Sequence, residues 1–252
     1  MTHLIGAFFQ CYKNPLATYK ALESFRKSYP DSPVLLLSDN GYNYKKMAEH
    51  FNCEYVHATE SIPVWINYEN NEQYVSKGLK LIERLVECFQ KLDCKYILLL
   101  EDDVRVHNPV PEVFLKGDSD LYGNTINTIP KELVKACYKD YSFMDLNKSY
   151  YYSGHGGSLY NKDKCLSAFS NKQIVLDVLQ AFLFTKHNST VTNINQDELV
   201  SLIVILNKGK ITKIPGIIDT NDPTIRKCFT QHQFKYFYNQ PLPLSLQHLV
   251  EM

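Results

Sequence analysis

The stretch that decides the fold is a short apolar run ending in three acids, Tyr96-Ile97-Leu98-Leu99-Leu100-Glu101-Asp102-Asp103. An uninterrupted apolar run of this length is typical of a strand buried on both faces of a mostly parallel sheet. Open sheets of this kind bind their ligands at the carboxyl ends of the strands. The three acids are therefore expected at the ligand-binding edge of the sheet.

Three consecutive carboxylates repel one another unless a cation or hydrogen-bond donors meet them. Ligands that are all oxygen suit Mg²⁺ or Mn²⁺, which commonly bridge a protein carboxylate and substrate phosphates. The acids therefore predict a divalent-metal site that binds a phosphate-containing ligand. The alternative interpretation is a solvated acidic turn that only ends a strand.

Strands and helices alternate through the first half of the chain. Strands are predicted at 4–11, 34–38 and 54–57, and residues 58–74 read as a loop. Asn14 followed by Pro15 is typical of a helix start, a short helix is expected near 44–51, and Ser76 is expected to cap a helix that leads into the acidic strand. This alternation predicts an α/β fold, with a Rossmann-type, mostly parallel central sheet flanked by helices.

The second half is less regular. A strand is predicted at 120–123, a helical pattern at 133–138 and a helix over 162–185. Asn195 and Glu198 have the spacing of a capping box at the start of a helix that Gly209 would end. Between these elements, glycines interrupt an aromatic strand pattern at 150–160, which is typical of a backbone that approaches another group closely.

Composition excludes several classes of protein. The 252 residues include 27 Lys and Arg against 27 Asp and Glu, so a basic, duplex-binding protein is not expected. The seven cysteines include no CxxC pair, so we interpret them as reduced, mostly buried thiols. Reduced thiols favour a reducing, cytoplasmic location. The sequence shows neither a leader peptide nor an apolar stretch long enough to span a membrane.

With its strand context, Glu101-Asp102-Asp103 resembles the DxD motif, in its Glu-Asp-Asp form, of nucleotide-sugar glycosyltransferases with the GT-A fold. The resemblance implies that Asp103 binds Mn²⁺ or Mg²⁺ and that Glu101 and Asp102 contact the nucleoside or metal-bound water. It also implies a nucleotide-binding half at about 1–110, a sugar and acceptor half at about 111–215 and a tail at about 216–252, together forming one domain.

Further residues are assigned by position and by the same resemblance. Four side chains at or near strand ends and one at the expected helix start would flank the nucleotide: Gln10, Tyr12, Ser38, Asp39 and Lys77. His155 and Gly156 would line the donor-sugar site, and His232 would complete the metal shell. Solvent exposure of Lys77, and a turn histidine without a chemical role at 155, remain equally compatible with the sequence.

The pair Asp197-Glu198 resembles the acids at a helix start in inverting GT-A enzymes, although the usual order there is Glu-Asp. Asp197 is the first candidate for the catalytic base and Glu198 the second, and capping of the helix would explain both acids equally well. An inverting enzyme is favoured, with a retaining one left open.

The resulting hypothesis is a metal-dependent glycosyltransferase that uses a nucleoside-diphosphate sugar and a carbohydrate or glycoconjugate acceptor. Two alternatives remain. One is a non-catalytic nucleotide- or sugar-binding module. The other is a nucleotidyltransferase, which would need a Gly-rich basic loop after the first strand, where Gln10-Cys11-Tyr12-Lys13 offers one lysine and no glycine.

Overall fold

A seven-stranded sheet with helices on both faces forms the centre of the protein. The computed structural model describes residues 3–62, 65–66, 71–112, 115, 117–123, 127–153, 156–188, 194–213, 228–230 and 233–251. The strands are β1 (His3–Cys11), β2 (Val34–Asp39), β3 (Glu54–Ala58), β4 (Trp65–Ile66), β5 (Cys94–Glu101), β6 (Arg105–Val106), β7 (Leu121–Gly123), β8 (Asn127–Thr128), β9 (Tyr151–Tyr152), β10 (Leu159–Asn161), β11 (Ile194–Asn195), β12 (Ile211–Lys213) and β13 (Phe229–Thr230).

The helices lie among these strands along the chain. They are α1 (Pro15–Ser28), α2 (Lys45–His50), α3 (Asn71–Lys91), α4 (Lys131–Tyr138), α5 (Lys162–Phe169), α6 (Lys172–Asn188) and α7 (Gln196–Leu206), with short 3₁₀ helices at Lys235–Phe237 and Leu244–Leu249. None of the described helices has the combination of length and apolarity that crossing a bilayer requires.

The strand order of the central sheet is β12-β7-β10-β5-β1-β2-β3. Only β10 is antiparallel to its neighbours, β5 and β7, and the remaining pairs are parallel. Both halves of the chain contribute strands to this sheet. The predicted α/β class, with a mostly parallel, helix-flanked central sheet, is confirmed.

Two apolar layers cover the two faces of the sheet. Because side chains alternate along a strand, Phe8 and Leu99 pack on the side of α3 to α7, whereas Phe9 and Leu100 pack on the side of α1, α2 and the C-terminal segment. The central strands are therefore apolar at nearly every position. This explains why the run before the acids shows no polar alternation.

Several predicted boundaries were wrong in position. Helix α3 begins at Asn71 rather than after Ser76, so Ser76 lies within the helix. The segment predicted as one helix over 162–185 is two helices, α5 and α6, separated by Ser170 and Asn171. The left-handed residue after α7 is Lys208 rather than Gly209, and the Gly209 N–H closes the helix on Val204 O at 2.8 Å.

All seven cysteines are free, as predicted, and six of them are buried. Burial raises the pKa of the Cys88 and Cys137 thiols to about 12. Such thiols stay protonated at neutral pH and behave as small apolar side chains.

Candidate nucleotide and metal site at the carboxyl edge of the sheet

Strand register brings the predicted nucleotide-binding residues to one edge. Gln10 lies opposite Glu101 between β1 and β5, and Cys11 lies opposite Ser38 between β1 and β2. These pairs are parallel, so their strands end at the same edge. Tyr12, which directly follows β1, is 44% exposed there. These residues therefore lie at one edge of the sheet, as the sequence predicts.

The three acids form a tight turn, in which the Val104 N–H donates to Glu101 O at 3.1 Å. Because the chain reverses here, successive side chains point in different directions. Glu101 is half-buried, whereas Asp102 is 7% exposed and Asp103 is 2% exposed. The three carboxylates therefore occupy three different environments.

Asp102 points into the protein. Its Oδ2 accepts a hydrogen bond from Asn14 Nδ2 at 2.9 Å, and its Oδ1 accepts one from the Tyr238 hydroxyl at 2.8 Å. Burial raises the pKa of Asp102 to about 6, and the two hydrogen bonds oppose that rise. Asn14 was predicted to cap α1, but its side chain makes no capping bond and binds Asp102 instead.

Asp103 faces a lysine from the C-terminal segment. Lys235 Nζ lies 4.0 Å from Asp103 Oδ2, and the Phe234 N–H donates to Asp103 O at 3.1 Å. Within the described residues, no group of three His, Cys, Asp or Glu side chains is arranged to hold a metal ion. His232, the other predicted metal ligand, lies outside the described residues.

Ser38 and Asp39, two predicted nucleotide-binding residues, are engaged within the protein. The Ser38 hydroxyl is fully buried and donates to Tyr42 O at 2.7 Å. Asp39 accepts from the Arg84 guanidinium at 2.5 Å, from the Ile62 N–H at 3.1 Å and from a third donor, a serine hydroxyl. Ser38 therefore fixes the loop after β2, and Asp39 connects the loop after β3 to α3.

Lys77 lies in the second turn of α3 rather than at its start, because the helix begins earlier than predicted. The pKa of Glu60 is lowered mainly by Lys80, and the charge of Lys77 lowers it further. The neighbouring Gly78 serves packing, since a Cβ at this position would lie 2.4 Å from Leu179 Cδ2 of α6.

Gly156 packs directly against the acidic turn. A Cβ at this position would lie 2.5 Å from Val104 Cγ2 and 3.1 Å from Glu101 Oε2. The close backbone approach predicted from the glycines at 150–160 is therefore present, and the group approached is the acidic turn. His155 lies outside the described residues.

A second pair of acids lies at the start of α7. The Asn195 side chain accepts from the Asp197 N–H at 3.1 Å, and the Asn195 N–H donates to the Glu198 carboxylate. Asn195 and Glu198 thus form the predicted reciprocal cap, in which the Asn195 side chain accepts its hydrogen bond from the N–H of Asp197. Burial and, secondarily, the neighbouring Asp197 raise the pKa of Glu198 to about 7.

Residues 151–153 and 156–160 contact the elements that carry the two acidic groups. Ser201 of α7 accepts from the Ser153 N–H at 2.9 Å and donates to Ser153 O at 2.6 Å. Burial is the main reason why the pKa of Tyr160 is raised, and the charges of Asp197 and Glu101 raise it further. Ser153 therefore contacts α7, while Gly156 contacts the acidic turn.

Sequence reasoning missed the residues that support the acids. Tyr238 and Lys235 lie more than 130 positions after the acidic turn, in a segment without periodicity. Arg84 has the helical spacing of an exposed position on α3, so its pairing with Asp39 had no local signal either. Only Asn14 carried a signal, which favoured a cap.

No protein-family model matches the sequence, and no significant match to a curated protein was found. Among solved structures, the fold is similar to galactosyltransferase LgtC in complex with donor and acceptor sugar analogues. That similarity has a TM-score of 0.49 and 14% identity, and it covers 96% of this chain and 99% of that one. An active-site mutant of LgtC gives a TM-score of 0.47 at 14% identity, with the same coverage. Similarity of this degree says nothing about substrate or metal.

Proposed function

We propose that the chain is a glycosyltransferase that moves a sugar from a nucleoside-diphosphate sugar to an acceptor hydroxyl, with Mn²⁺ or Mg²⁺ as cofactor. One observation carries the proposal. Gly156 packs against the acidic turn at the carboxyl edge of the sheet, and the nearby Ser153 is hydrogen-bonded to Ser201 of α7, the helix that begins with the second pair of acids. One acidic group is thus available for a metal and diphosphate, and the other for an acceptor.

The donor would lie along the carboxyl edge, against Gln10 and the exposed Tyr12 ring. Mg²⁺ is usually held by one or two carboxylates together with substrate phosphates. Asp103 and Glu101 fit that requirement, and His232 remains a predicted further ligand. When bound, the metal would neutralise the charge that develops on the leaving diphosphate.

The acceptor hydroxyl must lose its proton as it attacks the anomeric carbon. Asp197 is the preferred base, because the Glu198 carboxylate already accepts the Asn195 N–H and completes the helix cap. Glu198 remains the second candidate, since a carboxyl with a pKa near neutrality can both take up and release a proton. Such a base corresponds to an inverting enzyme, whereas a retaining mechanism would not require one.

The decisive experiment incubates the purified protein with a panel of nucleotide sugars and Mn²⁺ and measures the release of nucleoside diphosphate. Asp103→Asn should abolish Mn²⁺-dependent binding of nucleoside diphosphate in calorimetry while the fold is kept. Asp118→Asn is the control, since this exposed acid precedes β7 at the opposite edge of the sheet. Unchanged binding in Asp103→Asn would refute the metal assignment.

The base is tested separately, because its loss affects rate rather than donor affinity. Asp197→Asn should reduce sugar transfer by about 10²–10⁴-fold and leave binding of nucleoside diphosphate unchanged. If the protein bound nucleoside diphosphates but turned over no donor under any condition, a non-catalytic binding module would replace the glycosyltransferase. Release of pyrophosphate from a nucleoside triphosphate would favour a nucleotidyltransferase.

A further inference from the structure

We infer that Asp102 is a positioning residue that fastens residues 233–238 to the acidic turn, and the inference rests on the function proposed above. Both Asp102 oxygens are used for this purpose, Oδ2 by Asn14 Nδ2 at 2.9 Å and Oδ1 by the Tyr238 hydroxyl at 2.8 Å. The three side chains come from the turn after β5, the start of α1 and the C-terminal segment. The carboxylate is therefore a hub between elements rather than a group aimed at a ligand.

The same C-terminal segment contacts the residue proposed to hold the metal. The Phe234 N–H donates to Asp103 O at 3.1 Å, and Lys235 Nζ lies 4.0 Å from Asp103 Oδ2. Three contacts from positions 234, 235 and 238 thus reach two adjacent acids. Fastening this segment to Asp102 therefore fixes the backbone and the electrostatic surroundings of Asp103.

Independent contacts show that the segment is held at its other end as well. Strand β13 pairs with β6, directly after the acidic turn, and the His107 N–H donates to Cys228 O at 2.7 Å. Phe234 and Phe237 pack in the same apolar layer as α1. With Tyr238 released from Asp102, residues 233–238 would keep this attachment but lose the hydrogen bond that sets their position over the acids.

The chemistry of the hub separates positioning from ligand binding. Asp102 only accepts, while the Asn14 amide and the Tyr238 hydroxyl donate. An asparagine at position 102 can accept from Tyr238 with its oxygen and donate to Asn14 once the Asn14 amide is flipped. Asp102→Asn thus keeps both hydrogen bonds and removes the charge. A residue that binds metal or phosphate-bound metal through its charge would not tolerate this change.

The experiment compares Asp102→Ala, Asp102→Asn, Tyr238→Phe and the double variant Asp102→Ala/Tyr238→Phe. Tyr236→Phe is the control, because this tyrosine belongs to the same segment and is 61% exposed. The first readout is amide hydrogen exchange of residues 233–238. The second is the affinity for UDP, GDP, CDP and ADP, each titrated with MnCl₂ present.

We expect Asp102→Ala and Tyr238→Phe each to speed exchange in 233–238 and to weaken diphosphate affinity about tenfold, a change of about 1.4 kcal/mol. The double variant should be no weaker than Asp102→Ala alone, since Asp102→Ala already removes the hydrogen bond that Tyr238→Phe removes. Asp102→Asn should recover most of the affinity lost in Asp102→Ala. A purely structural role would change exchange and thermal stability in Asp102→Ala but would leave the affinity for diphosphates unchanged.

Two results would overturn the inference. One is an Asp102→Asn variant as weak as Asp102→Ala, which would make Asp102 a charge-dependent ligand. The other is a Tyr238→Phe variant that leaves exchange in 233–238 unchanged. A failure of the proposed function would give a different result from a failure of this inference. The parental protein would then bind none of the four diphosphates, while the exchange experiment would still decide whether Asp102 fastens the segment.

Discussion

The pH dependence of stability should report the partly buried Glu198 at the start of α7. Burial, reinforced by the neighbouring Asp197, raises its pKa from an ordinary 4.5 to about 7. The folded protein therefore binds this proton more tightly than the unfolded chain does. Between about pH 4.5 and 7, the free energy of unfolding falls as pH rises, and above pH 7 this contribution stays constant.

The magnitude follows from the two pKa values. A pKa raised from 4.5 to about 7 corresponds to an upper limit of about 3.4 kcal/mol, at about 1.36 kcal/mol for each pH unit. Glu198 is only partly buried, so solvent screening reduces this figure, and we expect roughly 1–2 kcal/mol. Glu198→Gln removes the titration and keeps an oxygen that can accept the Asn195 N–H. The variant should therefore gain stability over the parental protein as pH rises.

The assay is urea unfolding of both proteins at half-unit intervals from pH 5 to 8. The difference in unfolding free energy, variant minus parent, should increase by roughly 1–2 kcal/mol across this range. Asp197→Asn should make the parental slope shallower, because it removes the second cause of the raised pKa. Glu132→Gln is the matched control, since Glu132 is an exposed acid in the first turn of α4. A difference that is flat with pH, or one that decreases, would refute the argument.

Two further predictions concern packing and charge near the candidate site. Gly156→Ala should destabilise the fold by about 1–3 kcal/mol in urea unfolding and weaken diphosphate binding, because the new methyl group would overlap Val104 and displace Glu101. The double variant Gly156→Ala/Val104→Ala should recover the stability. An unchanged stability in the single variant would contradict this packing. Arg84→Met should lower the free energy of unfolding by about 1–3 kcal/mol, because the partly buried Asp39 carboxylate would lose its cation. The control Lys91→Met removes the lysine of an exposed ion pair on the same helix and should lower it by less than about 0.5 kcal/mol. Equal effects of the two substitutions would show that burial does not distinguish the two ion pairs.

The sequence was sufficient for the layout of the fold because the relevant signals are local. The apolar run before Glu101 identifies a strand buried on both faces, and the alternation of strands and helices identifies the parallel sheet. Parallel pairing then follows, and with it the meeting of Gln10, Ser38 and Glu101 at one edge. The start of α7 was readable for the same reason, since a capping box involves residues only three positions apart.

The partners of the acids were not predictable because they depend on contacts distant in sequence. Asn14 carries the pattern of a helix cap, and only the position of Asp102, 88 residues later, decides that its side chain turns away. Tyr238 is 136 residues from Asp102 and lies in a segment whose composition indicates no element. The start of α3 was misplaced because Ser76 has the identity of a cap, although the helix already continues before it.

The arrangement of partners also explains how four acids can lie at one edge that would receive a diphosphate. Four outward-facing carboxylates would repel such a ligand, each by about 1 kcal/mol at 4 Å even in water. Arg84 pairs with Asp39, and Asp102 turns inward to Asn14 and Tyr238. Under the proposed function, the carboxylates of Glu101 and Asp103 would meet the metal, and one divalent cation can neutralise two carboxylates. A diphosphate that brings such a cation would then meet little excess negative charge from these acids, whereas a diphosphate without a metal would be repelled by both acids, although Lys235, 4.0 Å from Asp103 Oδ2, would attract it. The proposed metal dependence thus agrees with the way in which the fold satisfies Asp39 and Asp102 internally, and the three consecutive acids in the sequence do not show this by themselves.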